Sequence, residues 1–429
     1  MKKCFLIFLI LLLNQTDFST AQTQSGSPKD TILQPVDKPN LTEKNTPETA
    51  DPEYYQPYLK LLKEVYETMD NEYYRHVSKE KYTFFVNKYK NSVLSKLTDH
   101  QNRIDRVAHI GAGLLVNSLR TPEDKFTNFV PPKQAEEYSK QIYGYENGLG
   151  IEGKLIDNVF LISHVQIRSD AFMKGIRQGD KLLKLNKKPV SSLSPEKIKE
   201  ILYPPLNKTI KLTIFSKSKN KPINYSLVCK EYFIETVEAL ATKLDRTFCL
   251  KIKSFNRKTA DDFKEYITKF KQSGIDTLIV DVTDNPGGPP LAVRELSGIF
   301  LPANEKLFFY QKKNVPQFGL TAPESEITYT GKLIVLVNSK SGSASELFAG
   351  TLQAHKRAKI IGKDSTAGYA FLKKTFKFDD GSMIALLTGD SYLFNGQRIS
   401  VEGVAPDMII PKETNSLNYV LDLISSKNQ

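Results

Sequence analysis

The hydrophobic period of this chain changes along its length, and the changes predict its elements. From about residue 50 onward, apolar positions recur at helical spacing. They are Leu62, Val65, Tyr66, Met69 and Tyr73, then Tyr82, Phe85, Val86 and Tyr89, then Val93 and Leu97. Steps of three and four residues put such side chains on one face of a helix, and an aromatic stripe of this kind predicts core packing. From Gly148 the pattern shortens to strands at Val159 to Ile162, Lys181 to Leu185, Ile210 to Phe215 and Asn224 to Val228, with one helix from Pro195 to Leu202. Beyond Phe233, strand and helix alternate. Leu250 to Ile252, Thr277 to Val282, Leu333 to Val337 and Ala358 to Ile361 read as strands. Thr259 to Gln272, Pro290 to Phe300 and Ala344 to His355 read as helices, the first with Thr259 and Asp262 suited to a capping box. This alternation predicts an α/β layer with a mostly parallel central sheet, whose active residues gather where strands end and helices begin.

Composition divides the rest. A chain of 429 residues is too long for one small core. Met1-Lys2-Lys3 followed by the apolar run Cys4 to Leu13 and by Ser19-Thr20-Ala21 predicts a secretory signal over residues 1–21. The run is too short to span a bilayer comfortably, and an uncleaved anchor is the alternative. Cys4 stands at the start of the run rather than after it, which argues against a lipoprotein signal. Residues 22–50 are rich in Gln, Thr, Ser, Pro, Asn and Asp and predict a disordered linker. A helical region over 51–145, a β-rich unit over 146–232 and an α/β core over 233–429 follow. No later segment is apolar for long enough to cross a membrane.

Charge and metal-ligating residues exclude some functions. The formal net charge is +12, but the lysines are dispersed, with no basic stripe interleaved with aromatics as nucleic-acid binding would require. A solvated basic surface near anionic envelope polymers is the blander meaning. Five histidines, scattered at 76, 100, 109, 164 and 355, and two cysteines beyond the signal, Cys229 and Cys249, have no metal-ligand spacing. No metal or organic cofactor is predicted. The two cysteines allow one disulfide, which sequence alone cannot establish.

The chemistry concentrates in two turns. Asp284-Asn285-Pro286-Gly287-Gly288 follows the strand ending at Val282, and Ser341-Gly342-Ser343-Ala344-Ser345-Glu346 follows the strand ending at Val337. A serine at the head of an apolar helix presents its hydroxyl, and the helix dipole favours a developing negative charge. Backbone N–H groups of a glycine turn suit an oxyanion. Ser343-x-x-Glu346 also spells a capping box, which by itself needs no reactivity.

Upstream, Gly148-Leu149-Gly150-Ile151 precedes the segment Ala171-Phe172-Met173-Lys174-Gly175-Ile176-Arg177-Gln178-Gly179-Asp180. This order resembles a PDZ domain, which implies that Gly148, Leu149, Gly150 and Ile151 bind the carboxylate of a peptide that adds as an extra strand. Pro122-Glu123-Asp124-Lys125-Phe126-Thr127-Asn128-Phe129, the two turns, and Gly403-Val404-Ala405-Pro406-Asp407 occur in the order found in the carboxyl-terminal processing (tail-specific) family of secreted serine peptidases. The resemblance runs from about Tyr54 to Pro411, with Thr283 where arginine is common. It implies an exported endopeptidase, periplasmic, extracellular or in the cell envelope, that cleaves proteins at or near C-terminal tails. Ser343 would be the nucleophile, with Gly287, Gly288 and Ala344 at the oxyanion.

That family takes its base from a lysine in a Gly-Lys-Gly turn, oriented by a nearby glutamine. Here, aligned from Gly362, those positions hold Gly368 and Leu372. Aligned back from Asp380-Gly381, they hold Tyr369 and Lys373. Three readings stay open. Lys373 or Lys374 reaches the serine from the following strand, or His100 or His109 from the helical region serves, or the base is gone and the chain is a pseudopeptidase that binds peptides as a scaffold. His355 is expected to cap or be solvated. His164 is expected to be an ordinary strand residue, with peptide contact as the alternative.

Overall fold

The computed structural model describes residues 53–94 and 104–426. The signal segment, the linker, Leu97 and His100 lie outside the described residues. Within the described chain two compact units form, one ending at Pro131 and including Thr375–Leu386, the other comprising Pro132–Lys374 and the chain from Leu387 onward.

In the first unit the aromatic stripe forms the helices Gln56–Glu72 and Lys79–Ser92. Leu62, Val65, Met69 and Tyr73 are fully buried on one face. Each fully buried side chain of this size contributes roughly 1.5–3 kcal/mol relative to exposure. Tyr66 is half-buried and stacks on Tyr82 with ring centroids 4.1 Å apart. A third helix, Ile104–Leu119, went unassigned in the sequence, although Ala108, Ala112, Leu115 and Leu119 follow helical spacing and are buried. Two hydrogen bonds hold Tyr73 inside, its hydroxyl donating to Asp124 Oδ2 at 2.8 Å and accepting from Thr121 N–H at 3.1 Å. The other Asp124 oxygen accepts from Phe126 and Thr127 N–H, each at 2.8 Å. That carboxylate therefore shapes the Pro122–Phe129 segment.

The second unit carries the predicted α/β layer. Its six-stranded sheet runs in the order Val237–Leu240, Thr247–Ile252, Thr277–Asp281, Lys332–Val337, Lys359–Gly362, Met408–Ile409. All neighbours are parallel except the first pair, an antiparallel edge. Every residue of the strand Thr277–Asp281 is buried, which explains its unbroken apolar run. Helices Thr259–Gln272, Pro290–Ser297 and Ala344–Ala354 follow their strands. The predicted capping box at Thr259 does not form. Lys258 is the N-cap, the Thr259 hydroxyl pairs with Thr236 at 2.7 Å and accepts from Asn256 N–H, and Asp262 binds Arg168. Buried partners from elsewhere in the fold have taken both side chains.

Residues 145–233 fold as a β-rich body with its own apolar core, including Leu149, Ile162, Leu185, Ile214 and Leu227. Its sheet order is Ile151–Ile156, Val159–Val165, Lys181–Leu185, Thr209–Ser216, Lys221–Val228, and the helix Pro195–Leu202 lies where expected. The strand Ile151–Ile156 is at the sheet edge. An antiparallel ladder was not foreseen. Residues 383–385 pair with Asn128–Val130 in the first unit, and residues 389–393 pair with Lys306–Lys312 in the second. Cys229 and Cys249 are both free and buried in separate apolar clusters. Burial pushes the Cys249 thiol up to about 12, with Asp281 adding to the effect.

Candidate active site

The glycine turn and the serine turn leave the carboxyl ends of neighbouring parallel strands, where Asp281 is level with Leu336. Asn285 joins them. Its side chain, fully buried, donates to Ile252 O at 2.8 Å and accepts from Gly287 N–H at 2.8 Å. Its carbonyl accepts from Gly342 N–H at 2.9 Å and from the Ser345 hydroxyl at 3.0 Å. The Ser341 hydroxyl completes the seam by donating to Val282 O at 2.7 Å. A buried amide can satisfy this many partners only when all are present. Sequence quoted Asn285 within a motif but assigned it no task. Its signal was an amide lodged directly after an apolar strand.

Ser343 heads the helix Ala344–Ala354 with φ 51° and ψ −112°. A side chain at that φ is strained, and such strain is tolerated where surrounding bonds impose it, as at nucleophile turns. The residue is half-buried. Gly287, at φ +108°, lies against it: a Cβ there would stand 2.7 Å from Ser343 Cβ and 2.9 Å from Ala344 N. Only glycine fits this approach. Because Gly287 N–H is taken by Asn285, the backbone donors left open at the turn are those of Gly288 and Ala344, neither of which has a hydrogen-bond partner among the described residues.

The capping-box glutamate is present and does more than cap. Glu346 is fully buried, and its Oε2 accepts from Ser343 N–H at 2.8 Å and Tyr369 N–H at 2.7 Å. Oε1 accepts from Gly368 N–H at 2.6 Å and the Thr366 hydroxyl at 2.7 Å. Burial raises its pKa while those four bonds pull it down, and burial prevails.

The base candidates are distributed as follows. Gly368 has φ +74°, and a Cβ there would meet Val401 O at 2.3 Å, so no side chain fits at that position. Tyr369 is exposed, with its ring 3.6 Å from where a Gly342 Cβ would stand. Lys373 and Lys374 are exposed on the strand Leu372–Lys377, and the Lys373 ammonium sits over the Tyr138 ring at 5.3 Å from its centroid. His109, in the first unit, is bound to Asp380 Oδ2 at 2.7 Å. Among the described residues no lysine, histidine or acidic side chain is hydrogen-bonded to the Ser343 hydroxyl. His355 is the C-cap of its helix, bonded to Lys306 O at 2.8 Å, and His164, in the strand Val159–Val165, bonds to Gln166 just beyond that strand at 3.0 Å.

In the β-rich body a groove of about 590 Å³ lies between the edge strand and the helix Pro195–Leu202, lined among others by Ile151, Gly153, Lys154, Ile198 and Lys199. Of the predicted carboxylate loop, Ile151 lines this groove. Leu149 N–H donates to Leu202 O at 3.2 Å, which commits that donor to the helix end.

An α/β layer that holds a strained serine at a helix start, against a glycine turn bearing open backbone donors, presents two of the elements that nucleophilic acyl transfer requires. Residues 246–410 match peptidase family S41. It is 26% identical over 286 residues to a probable CtpA-like serine protease of Staphylococcus haemolyticus, covering 66% of this chain and 57% of the relative. A protein of the same description from Staphylococcus saprophyticus is 24% identical over 369 residues, covering 84% of this chain and 67% of the relative. The chain thus spans between about half and two thirds of their length. Among solved structures, a photosystem II D1 C-terminal processing protease shares the fold at TM-score 0.50 and 19% identity, covering 85% of this chain and 96% of that one. The tricorn protease shares it at TM-score 0.52 and 15% identity, covering 87% and 37%.

Proposed function

We propose that this protein is an exported serine endopeptidase of the C-terminal processing type, with Ser343 as its nucleophile. The Ser343 oxygen attacks a peptide carbonyl, losing its proton to a base. The oxyanion takes up the N–H groups of Ala344 and Gly288, the amine leaves with a proton, and water hydrolyses the acyl-enzyme. Substrates are protein tails without stable structure, drawn in as an added strand on the PDZ-like edge Ile151–Ile156. The observation that carries this reading is the backbone of Ser343 at φ 51° directly against Gly287, a strained arrangement that helix capping alone does not require.

A second reading is supported by a different observation: Gly368, where the family lysine aligns, is closed to any side chain by Val401. In that reading the chain is a pseudopeptidase that captures peptides in the same groove. Loss of a base from groups acting as a unit removes most of the rate enhancement. A fluorophosphonate probe separates the two. Under the peptidase reading it labels the wild type and not Ser343→Ala, with candidate tail peptides added in case the site opens only when occupied. Replacing Lys373 and Lys374 singly then locates the base. A folded wild-type protein that binds peptides yet is never labelled refutes the peptidase reading and leaves the scaffold.

A further inference from the structure

Glu346 touches both sides of the candidate site, and the mechanism above makes no use of it. Capping the helix needs only the bond from Ser343 N–H. The other three donors come from Thr366, Gly368 and Tyr369, on the segment that aligns with the family's base turn. No ion pair balances this carboxylate among the described residues, so these bonds stand in for its hydration. The segment they hold is tied onward, since Gly368 O accepts from Val401 N–H at 2.9 Å. Its outer face is open, with Tyr369 44% and Val401 61% exposed.

We propose that Glu346 is a positioning residue whose carboxylate holds Ser343 in its left-handed conformation and couples that conformation to the segment Thr366–Tyr369. A peptide pressing on Tyr369 or Val401 shifts Gly368 and Tyr369 N–H, and the shared carboxylate passes the shift to Ser343 N–H. The coupling stands on the hydrogen bonds alone. Its effect on catalysis rests on the reading of Ser343 as nucleophile.

Glutamine is the discriminating replacement. It has the same shape, but its amide nitrogen must face a backbone N–H whichever way it turns, because Oε1 and Oε2 each accept from at least one. Hydrogen exchange on the full chain reads the coupling. In Glu346→Gln the amides of Ser343, Gly368 and Tyr369 lose protection together, by about tenfold or more, while the strand Lys332–Val337 keeps its protection. A change confined to Ser343, or no change, overturns the coupling. If Glu346→Gln does not fold, Glu346→Asp carries the same test, keeping the charge but one methylene too short to reach both sides. Fluorophosphonate kinetics read the positioning: bond formation slows about tenfold or more with reversible probe binding unaltered, and an unaltered bond-forming rate overturns it. A wild type that is never labelled defeats the nucleophile reading, and the exchange measurement still decides the coupling.

Discussion

At the scale of single residues, Gly368 carries the sharpest consequence. Sequence alignment left open whether a base had been replaced there or merely displaced. The backbone answers in steric terms, since φ +74° and a carbonyl oxygen 2.3 Å from any Cβ exclude a lysine at that site. Gly368→Lys is therefore expected to destabilise the protein by about 1–3 kcal/mol or more, read as a lower urea midpoint, without accelerating fluorophosphonate labelling. A variant of unchanged stability that labels faster would mean the segment can reopen around a lysine. The place of Ser343 at the head of its helix was legible from Ser-x-x-Glu after an apolar strand. The four-fold use of Glu346 was not, because the motif supplies one reason for that glutamate and three of its donors lie about twenty residues further on in the chain.

At the scale of elements, the two turns behave as one, and Asp284 adds an ionisable tie. It accepts from Asn338 Nδ2 at 3.1 Å and lies 3.5 Å from the Lys340 ammonium. The Asn338 bond and then Lys340 hold its carboxyl below the ordinary 3.8. A depressed folded pKa means that the unfolded chain binds the proton first as pH falls. The contribution is therefore complete above about 4 and lost as pH drops through the folded value. Both partners are more than half exposed, so the effect is read by NMR titration. Asn338→Ala should return the Asp284 midpoint toward 3.8, and an unmoved midpoint would assign the depression to Lys340.

The helix that Ser343 heads is held by its apolar face. Phe348 is fully buried, with ring centroids 6.1 Å from Phe255 and 6.0 Å from Phe300. Phe348→Ala should cost about 3–5 kcal/mol in chemical denaturation, and a loss under 1 kcal/mol would show that the site collapses around the gap. The helix was readable from its period, as were most strand–helix alternations. The ladder through residues 383–393 was not, because its partners Asn128–Val130 and Lys306–Lys312 are remote in sequence and no local pattern encodes such pairings.

At the scale of the whole molecule, Arg168 and Asp262 connect the β-rich body to the α/β layer within the second unit. Asp262 is nearly buried, and the guanidinium grips both its oxygens. Arg168→Ala leaves that carboxylate without its cation, and a loss of about 1.5–3 kcal/mol, with faster proteolysis near residue 168, is expected. Unchanged cleavage would mean that other contacts suffice to hold the body.

Local chemistry written in the chain determined the succession of elements, the α/β layer and the two turns. Hydrophobic period and turn composition act over a few residues and survive any arrangement of the rest. Tertiary structure alone decided which groups serve the site. Gly287 N–H goes to Asn285, Gly368 is closed by Val401, and Glu346 joins Ser343 to Thr366–Tyr369. The physical reason is that hydrogen bonds and steric exclusion depend on ångström distances between remote segments, which a one-dimensional pattern does not contain.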